Sequence, residues 1–175
     1  MQRVYIMGTS GSGKSTLGRA LSRKLNCDFI EIDAIYHQAD WQSLPLDEFR
    51  STVQERCAAD RWVVDGNYSA VRDLVLARAD TIICLDYQRA LVMGRLVRRT
   101  WLRWWRQEEL WNGNRERMRS WFSRDPEENL LLWAWTTHAR RHEQVCEIQS
   151  RPDLAHTQRF HFTDPSQTQA WLESI

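Results

Sequence analysis

Residues Gly8-Thr9-Ser10-Gly11-Ser12-Gly13-Lys14-Ser15-Thr16 follow the spacing Gly-x4-Gly-Lys-Ser. Glycines at these points let successive backbone N–H groups turn inward, which makes a cradle for phosphate oxygens. A helix beginning at Lys14 adds the partial positive charge of its N-terminus. The Lys14 ammonium can then meet the β- and γ-phosphates, and the Ser15 hydroxyl can ligate Mg²⁺. The expected ligand of all nine residues is ATP with Mg²⁺.

Two aspartates carry the next signals. Asp65 lies in Trp62-Val63-Val64-Asp65-Gly66-Asn67-Tyr68. A carboxylate ending a strand there can hold Mg²⁺ directly or through water, and Gly66 would let the backbone approach a ligand. Asp33 is followed by Tyr36, His37 and Trp41. A carboxylate facing the γ-phosphate can accept a proton from a substrate hydroxyl. Tyr36, His37, Trp41, Gly66, Asn67 and Tyr68 then become candidates for the acceptor pocket. A third group is cationic: Arg95, Arg98 and Arg99 open a run that continues through Arg103, Arg106, Arg115, Arg117 and Arg119, interleaved with Trp101, Trp104, Trp105, Trp111 and Trp121. Arginines neutralise charge that builds on a transferring phosphoryl group. The same composition also suits a solvated face over a tryptophan core, or stacking on nucleic-acid bases.

The elements that must position these residues follow from periodicity. Arg3–Met7 reads as a strand running into Gly8, and Leu17, Ala20, Leu21 and Leu25 recur at helical spacing after Lys14. Further strands are expected at Phe29–Asp33, Trp62–Asp65, Thr81–Asp86 and Arg159–Phe162. Helices are expected from an Asp47 cap to about Ala59, over Arg89–Leu110 up to a break at Asn112-Gly113-Asn114, from an Asp125-Pro126 start to about Gln149, and over Ser166–Ser174. Alternating strands and helices predict a five-stranded parallel α/β sheet covered on both faces, with ligands beyond the carboxyl ends of the strands. Strand ends at Asp33, Asp65 and Asp86 would put three acids on that rim.

Composition sets the bounds. The 175 residues suggest one domain, with an acceptor-binding segment at about 33–70 and a helical lid at about 95–125. The net charge of +1 does not suggest a dedicated nucleic-acid binder. Only Lys14 and Lys24 are lysines among 24 basic residues, which singles out Lys14. Cys27, Cys57, Cys84 and Cys146 form no C-x-x-C pair, so free thiols in a reducing, cytoplasmic setting are expected. No signal peptide is visible, and no apolar run reaches the roughly 18 residues of a membrane span. An exposed tryptophan surface between residues 101 and 135 would mark a homodimer.

The glycine loop, Asp33-Ala34-Ile35-Tyr36 with Trp41, Trp62–Tyr68, Ala79–Ile83 and the arginine run together resemble the adenylate-kinase-like branch of the P-loop kinases. Within it the chain is most similar to the topology modulation proteins, over residues 1 to about 120. The resemblance implies a three-layer P-loop NTPase sandwich. It also implies that Arg95 and Arg99, nine and thirteen residues after Asp86, lie at the nucleotide and the γ-phosphate respectively. Adenylate kinases grip an acceptor phosphate with arginines where this chain has Tyr36 and Ser69. Asp33 instead fits the hydroxyl-facing acid of shikimate- and gluconate-kinase relatives. The expectation is therefore an ATP-dependent phosphotransferase acting on a small-molecule hydroxyl. A nucleoside or nucleotide kinase, and a nucleotide-binding regulator with a nucleic-acid or protein partner, stand as alternatives.

Overall fold

The computed structural model describes residues 1–115, 123, 125 and 129–175. Five strands, β1 (Arg3–Gly8), β2 (Asp28–Glu31), β3 (Trp62–Asp65), β4 (Thr81–Leu85) and β5 (Gln158–Phe162), form one sheet. All pairings are parallel and the order is β2-β3-β1-β4-β5. The helices are α1 (Lys14–Leu25), α2 (Ile32–Tyr36), α3 (Leu46–Arg56), α4 (Ser69–Leu76), α5 (Arg89–Trp105), α6 (Leu130–Ser150) and α7 (Pro165–Ser174).

The period-2 alternation of the strands sorts their side chains between two cores. Tyr5, Met7, Trp62, Val64, Ile82 and Cys84 face one side, packed with Phe49 and Val53 of α3, Val71 and Val75 of α4, and Val145 and Ile148 of α6. Val4, Ile6, Val63, Ile83 and Leu85 face the other, against Leu17 and Leu21 of α1, Val92 of α5 and Trp171 of α7. Both faces of β1, β3 and β4 are thus covered, and the backbone ends converge on one rim.

Several boundaries differ from the sequence expectation. β2 ends at Glu31 and Asp33 lies inside the short helix α2, so Asp33 reaches the rim from a helical turn. α3 begins at Leu46 after Pro45, and Asp47 sits in its first turn rather than at the cap. There its charge still complements the helix dipole. α4 was not expected, although Val71, Val75 and Leu76 are its buried stripe. α5 stops at Trp105, short of Leu110. Asn129 caps α6, its side chain accepting from the Leu131 and Leu132 N–H groups, where Asp125 had been expected. Pro126–Glu128 and residues Arg117, Arg119 and Trp121 lie outside the described residues.

The glycine loop is locked into this frame by contacts that leave no room for a side chain. Gly11 has φ +86°, and a Cβ there would lie 2.5 Å from the Val92 carbonyl oxygen of α5. A non-glycine residue at positive φ costs about 1–2 kcal/mol before any clash. Gly11→Ala should therefore destabilise the protein by about 2 kcal/mol or more, read as a lowered urea midpoint. An unchanged midpoint would contradict the packing of the loop on α5.

Candidate functional site

The loop between β1 and α1 is held from three directions. Asn67 clamps Gly8: its Oδ1 accepts from the Gly8 N–H at 3.4 Å and its Nδ2 donates to the Gly8 carbonyl. Ser12 N–H donates to the Thr9 carbonyl at 3.2 Å. Gly13, in the left-handed region, opens α1 at Lys14. Lys14 is half-buried, and its ammonium donates to the Thr9 carbonyl at 3.1 Å. Loss of solvent pulls its pKa below the ordinary 10.5, while the charges of Asp65 and Asp33 oppose that shift. Both expected acids therefore lie within electrostatic reach of the one loop lysine.

Asp65 ends β3 with 2% of its surface exposed. Burial raises its pKa to about 6, against the pull of Lys14 and a hydrogen bond from Ser15. Its Oδ2 is buried with no hydrogen-bond partner. A desolvated carboxylate with one open oxygen, hydrogen-bonded to the loop serine, fits a magnesium ion carried on nucleotide phosphates. No cluster of three or more His, Cys, Asp or Glu suited to a metal occurs among the described residues.

Asp33, in α2, is the second acid whose charge reaches Lys14. Its Oδ1 accepts a 2.6 Å hydrogen bond from the Tyr68 hydroxyl. That hydroxyl also lies 3.3 Å from His37 Nε2. Because the Tyr68 proton goes to the carboxylate, Nε2 must be the donor in the second contact, which leaves Nδ1 as an acceptor. Nδ1 is buried with no partner. Burial first, then the adjacent Asp33 charge, pushes the Tyr68 pKa far above its ordinary value, so the phenol keeps its proton. Tyr36 packs on Tyr68 at 4.8 Å and on His37 at 5.1 Å, and His37 packs on Trp41 at 5.3 Å between ring centroids. Asp33, Tyr36, His37, Trp41 and Tyr68 thus come together as one wall.

Two expected pocket residues have other work. A Cβ on Gly66 would lie 2.8 Å from Ile32 Cβ, so this glycine allows close packing under α2. Its carbonyl accepts from the buried Tyr5 hydroxyl at 2.9 Å. The Asn67 side chain bonds Gly8, as described. Its backbone carbonyl accepts from Arg141 of α6 at 3.3 Å.

The arginines divide. Arg95 lies over the Tyr87 ring at 5.7 Å, and one of its terminal nitrogens would be 3.9 Å from a Cβ on Gly13, at the mouth of the loop. Arg99, one turn on, is close enough for its charge to depress the Lys14 pKa. Both therefore lie near the glycine loop. Trp101, Trp105 and Trp135 are 46%, 71% and 52% exposed, on the solvent side. The turn after α5 folds back over the acceptor wall. Asn112 Nδ2 donates to the carbonyls of Ala34 and His37, at 3.3 and 2.6 Å. Asn114 Nδ2 donates to the Gln38 carbonyl at 2.8 Å, and its Oδ1 accepts from the Trp41 N–H at 2.8 Å. Trp111 stacks on His37 with centroids 5.9 Å apart. The Asn-Gly-Asn break thus works as a strap across residues 34–41.

Arg141 is the functional candidate that sequence reasoning missed. It shares Gln144 Oε1 with Arg72, at 2.8 and 3.3 Å. Neither arginine makes an ion pair among the described residues. Burial, then repulsion from Arg140 and Arg72, lowers the Arg141 pKa. Arg140, its neighbour, lies over the Trp133 ring instead. Only the helical phase of α6 distinguishes the two arginines, and the sequence does not fix that phase.

The coupling of His37 to Asp33 has a direct readout. Burial lowers the His37 pKa from 6.5 and the Asp33 charge pushes it back up. The His37 ring should therefore titrate below 6.5 in an NMR pH series, and Asp33→Asn should move the midpoint lower still. A midpoint above 6.5, or an upward shift in the variant, would contradict this arrangement.

A family profile described as shikimate kinase matches residues 10–55, which include Lys14, Ser15, Asp33, Tyr36, His37 and Trp41. A shikimate kinase of Sulfurihydrogenibium sp. is 42% identical over 40 residues, 23% of this chain and 24% of that protein. A gluconokinase of Arabidopsis thaliana is 53% identical over 30 residues, 17% of this chain and 16% of that protein. The chain thus covers a quarter or less of the length of these two relatives. Among solved structures, a shikimate kinase from Bacteroides thetaiotaomicron covers 99% of this chain and 95% of its own, with a TM-score of 0.57 at 16% identity. The fold is that of the shikimate-kinase-like P-loop kinases.

Proposed function

We propose that this chain is an ATP-dependent phosphotransferase that moves the γ-phosphate to a hydroxyl of a small molecule. The observation that carries the reading is the placing of the Asp33 carboxylate, fixed by Tyr68, within the electrostatic reach of Lys14. The loop and Lys14 bind the phosphates, and Arg95 and Arg99 neutralise charge on the nucleotide side. Ser15 and Asp65 would hold Mg²⁺, which when bound offsets charge on the β- and γ-oxygens. Asp33 accepts the hydrogen bond of the acceptor hydroxyl and then its proton as the bond to phosphorus forms. Tyr68, protonated throughout, keeps Asp33 aimed and leaves its second oxygen for the substrate.

Arg72 and Arg141 favour an acceptor with an anionic group, since two guanidiniums sharing a neutral amide lack a counter-charge. Shikimate and gluconate, the acceptors in the relatives' names, are hydroxy acids, and a carboxylate suits such a pair. The same two arginines are the observation that favours the second reading, a nucleotide kinase. They supply positive charge on the acceptor side where Tyr36 and Ser69 replace the adenylate-kinase arginines. The finer likeness to the topology modulation proteins rests on Asp33–Tyr36, Trp41 and Trp62–Tyr68, and it assigns no acceptor. The exposed Trp101, Trp105 and Trp135 supply apolar surface for a homodimer.

A screen of ATP-dependent phosphate acceptance across hydroxy acids, sugars, nucleosides and nucleoside monophosphates tests the reading. Turnover is expected with a non-nucleotide hydroxyl acceptor, and Asp33→Asn should cut that turnover by about 10² or more while ATP affinity stays near normal. Efficient phosphorylation of nucleoside monophosphates alone, at kcat/KM above about 10⁴ M⁻¹s⁻¹, would replace this reading with the nucleotide kinase.

A further inference from the structure

α6 carries an exposed thiol beside an oriented imidazole. His142 and Cys146 are one helical turn apart, with Nε2 3.8 Å from the Cys146 Sγ. The other ring nitrogen, Nδ1, lies 2.7 Å from Asp86 Oδ2, just past the end of β4. A second imidazole, His161 of β5, meets the same carboxylate oxygen through Nε2 at 3.0 Å. A carboxylate only accepts, so His142 Nδ1 is the donor and its Nε2 lone pair faces the thiol. A nucleophile, a base within reach and a third group that orients the base together make up a nucleophilic relay.

The surroundings leave this thiol as the reactive one. Cys57 and Cys84 are buried, and burial raises their pKa values to about 11 and about 12. Cys27 is half-buried and shifted upward for the same reason. Cys146 is exposed. Asp86 and His142 also line an open pocket of about 390 Å³ that continues to His138 and Asp164. An incoming molecule can therefore approach the imidazole side.

We infer that Cys146, His142 and Asp86 form a thiol-modification site whose substrates are low-molecular-weight disulfides. The Cys146 sulfur attacks one sulfur of the disulfide as its proton passes to His142 Nε2. The S–S bond of the incoming molecule breaks, and a mixed disulfide forms on Cys146. The departing thiolate takes the proton from the His142 imidazolium and leaves as a thiol. Asp86 positions the ring and stabilises the transient imidazolium, and His161 helps to hold Asp86. Cys146 and His142 take no part in the proposed phosphotransfer, whereas Asp86 lines a small pocket together with Gly8 and Thr9 of the loop.

Glutathione disulfide is the probe, with the intact native protein followed by mass spectrometry and peptide mapping. One mixed disulfide is expected, on Cys146, forming at pH 7 about tenfold or more faster than on an unstructured cysteine peptide. His142→Gln, at an exposed position that does not endanger the fold, should bring the rate down to that of the peptide and flatten its pH profile between 5 and 8. Asp86→Asn should give an intermediate rate. The inference is overturned if wild-type Cys146 reacts no faster than the peptide, if His142→Gln leaves rate and pH profile unchanged, or if the adduct maps to another cysteine.

Discussion

Lys14 brings a positive charge into a partly desolvated place, and the neighbouring elements are arranged to make that tolerable. An ammonium losing water is costly unless hydrogen-bonded and paired. Here the Thr9 carbonyl accepts from it, and Asp65 and Asp33 supply opposite charge from two other segments. Meeting those demands fixes the loop against α5, places β3 next to β1 so that Asp65 ends level with the loop, and turns α2 so that Asp33 faces inward. Asn67 extends the same logic by tying the end of β3 to Gly8. Arg99 and Arg141 lie near enough for their positive charge to act on Lys14. Lys14, Arg99 and Arg141 thus bring more positive charge to this region than Asp33 and Asp65 offset.

The acceptor wall depends on a different balance. His37 packs edge to face on Tyr36 and Trp41, Tyr68 is tilted against Tyr36, and the strap from Trp111 to Asn114 holds His37 and Trp41. Asp40, Trp41 and Asn112 take left-handed backbone angles in the two turns that meet there. Such conformations persist only where surrounding contacts over-determine them, and here the side-chain amides of Asn112 and Asn114 supply those contacts. The segment after α5 is therefore tied to residues 34–41, and any motion that lifts it would expose the aromatic wall at the same time.

What the sequence made legible was whatever depends on local spacing. The glycine loop, α1 from Lys14 to Leu25, β3 and the alternation of β1 follow from short-range rules. That Asp33 and Asp65 lie at the carboxyl rim of a parallel sheet follows from strand and helix alternation, although Asp33 reaches it from α2 rather than from a strand end. The rest depends on contacts between distant segments. Asp33 was placed at a strand end because Ile30 and Ile32 continue the apolar alternation, whereas the chain turns helical at Ile32 to seat it against Gly66. Gly66 and Asn67 carry turn-forming types that look ligand-facing, yet their neighbours Ile32 and Gly8 claim them. Arg141 and Arg140 are indistinguishable by type, and only the register of α6 on the sheet selects Arg141. The strap residues Asn112 and Asn114 announced a helix break but not the surface it covers.

The proposed phosphotransfer requires the Lys14 ammonium to meet the nucleotide phosphates. Calorimetric titration with Mg²⁺ and a non-hydrolysable ATP analogue, on the wild-type protein and on Lys14→Ala, measures this directly. The predicted result is saturable 1:1 binding by the wild type, weakened by at least tenfold in a variant whose unfolding transition remains cooperative. Equal affinity in the two folded proteins, or no binding by the wild type, would contradict it.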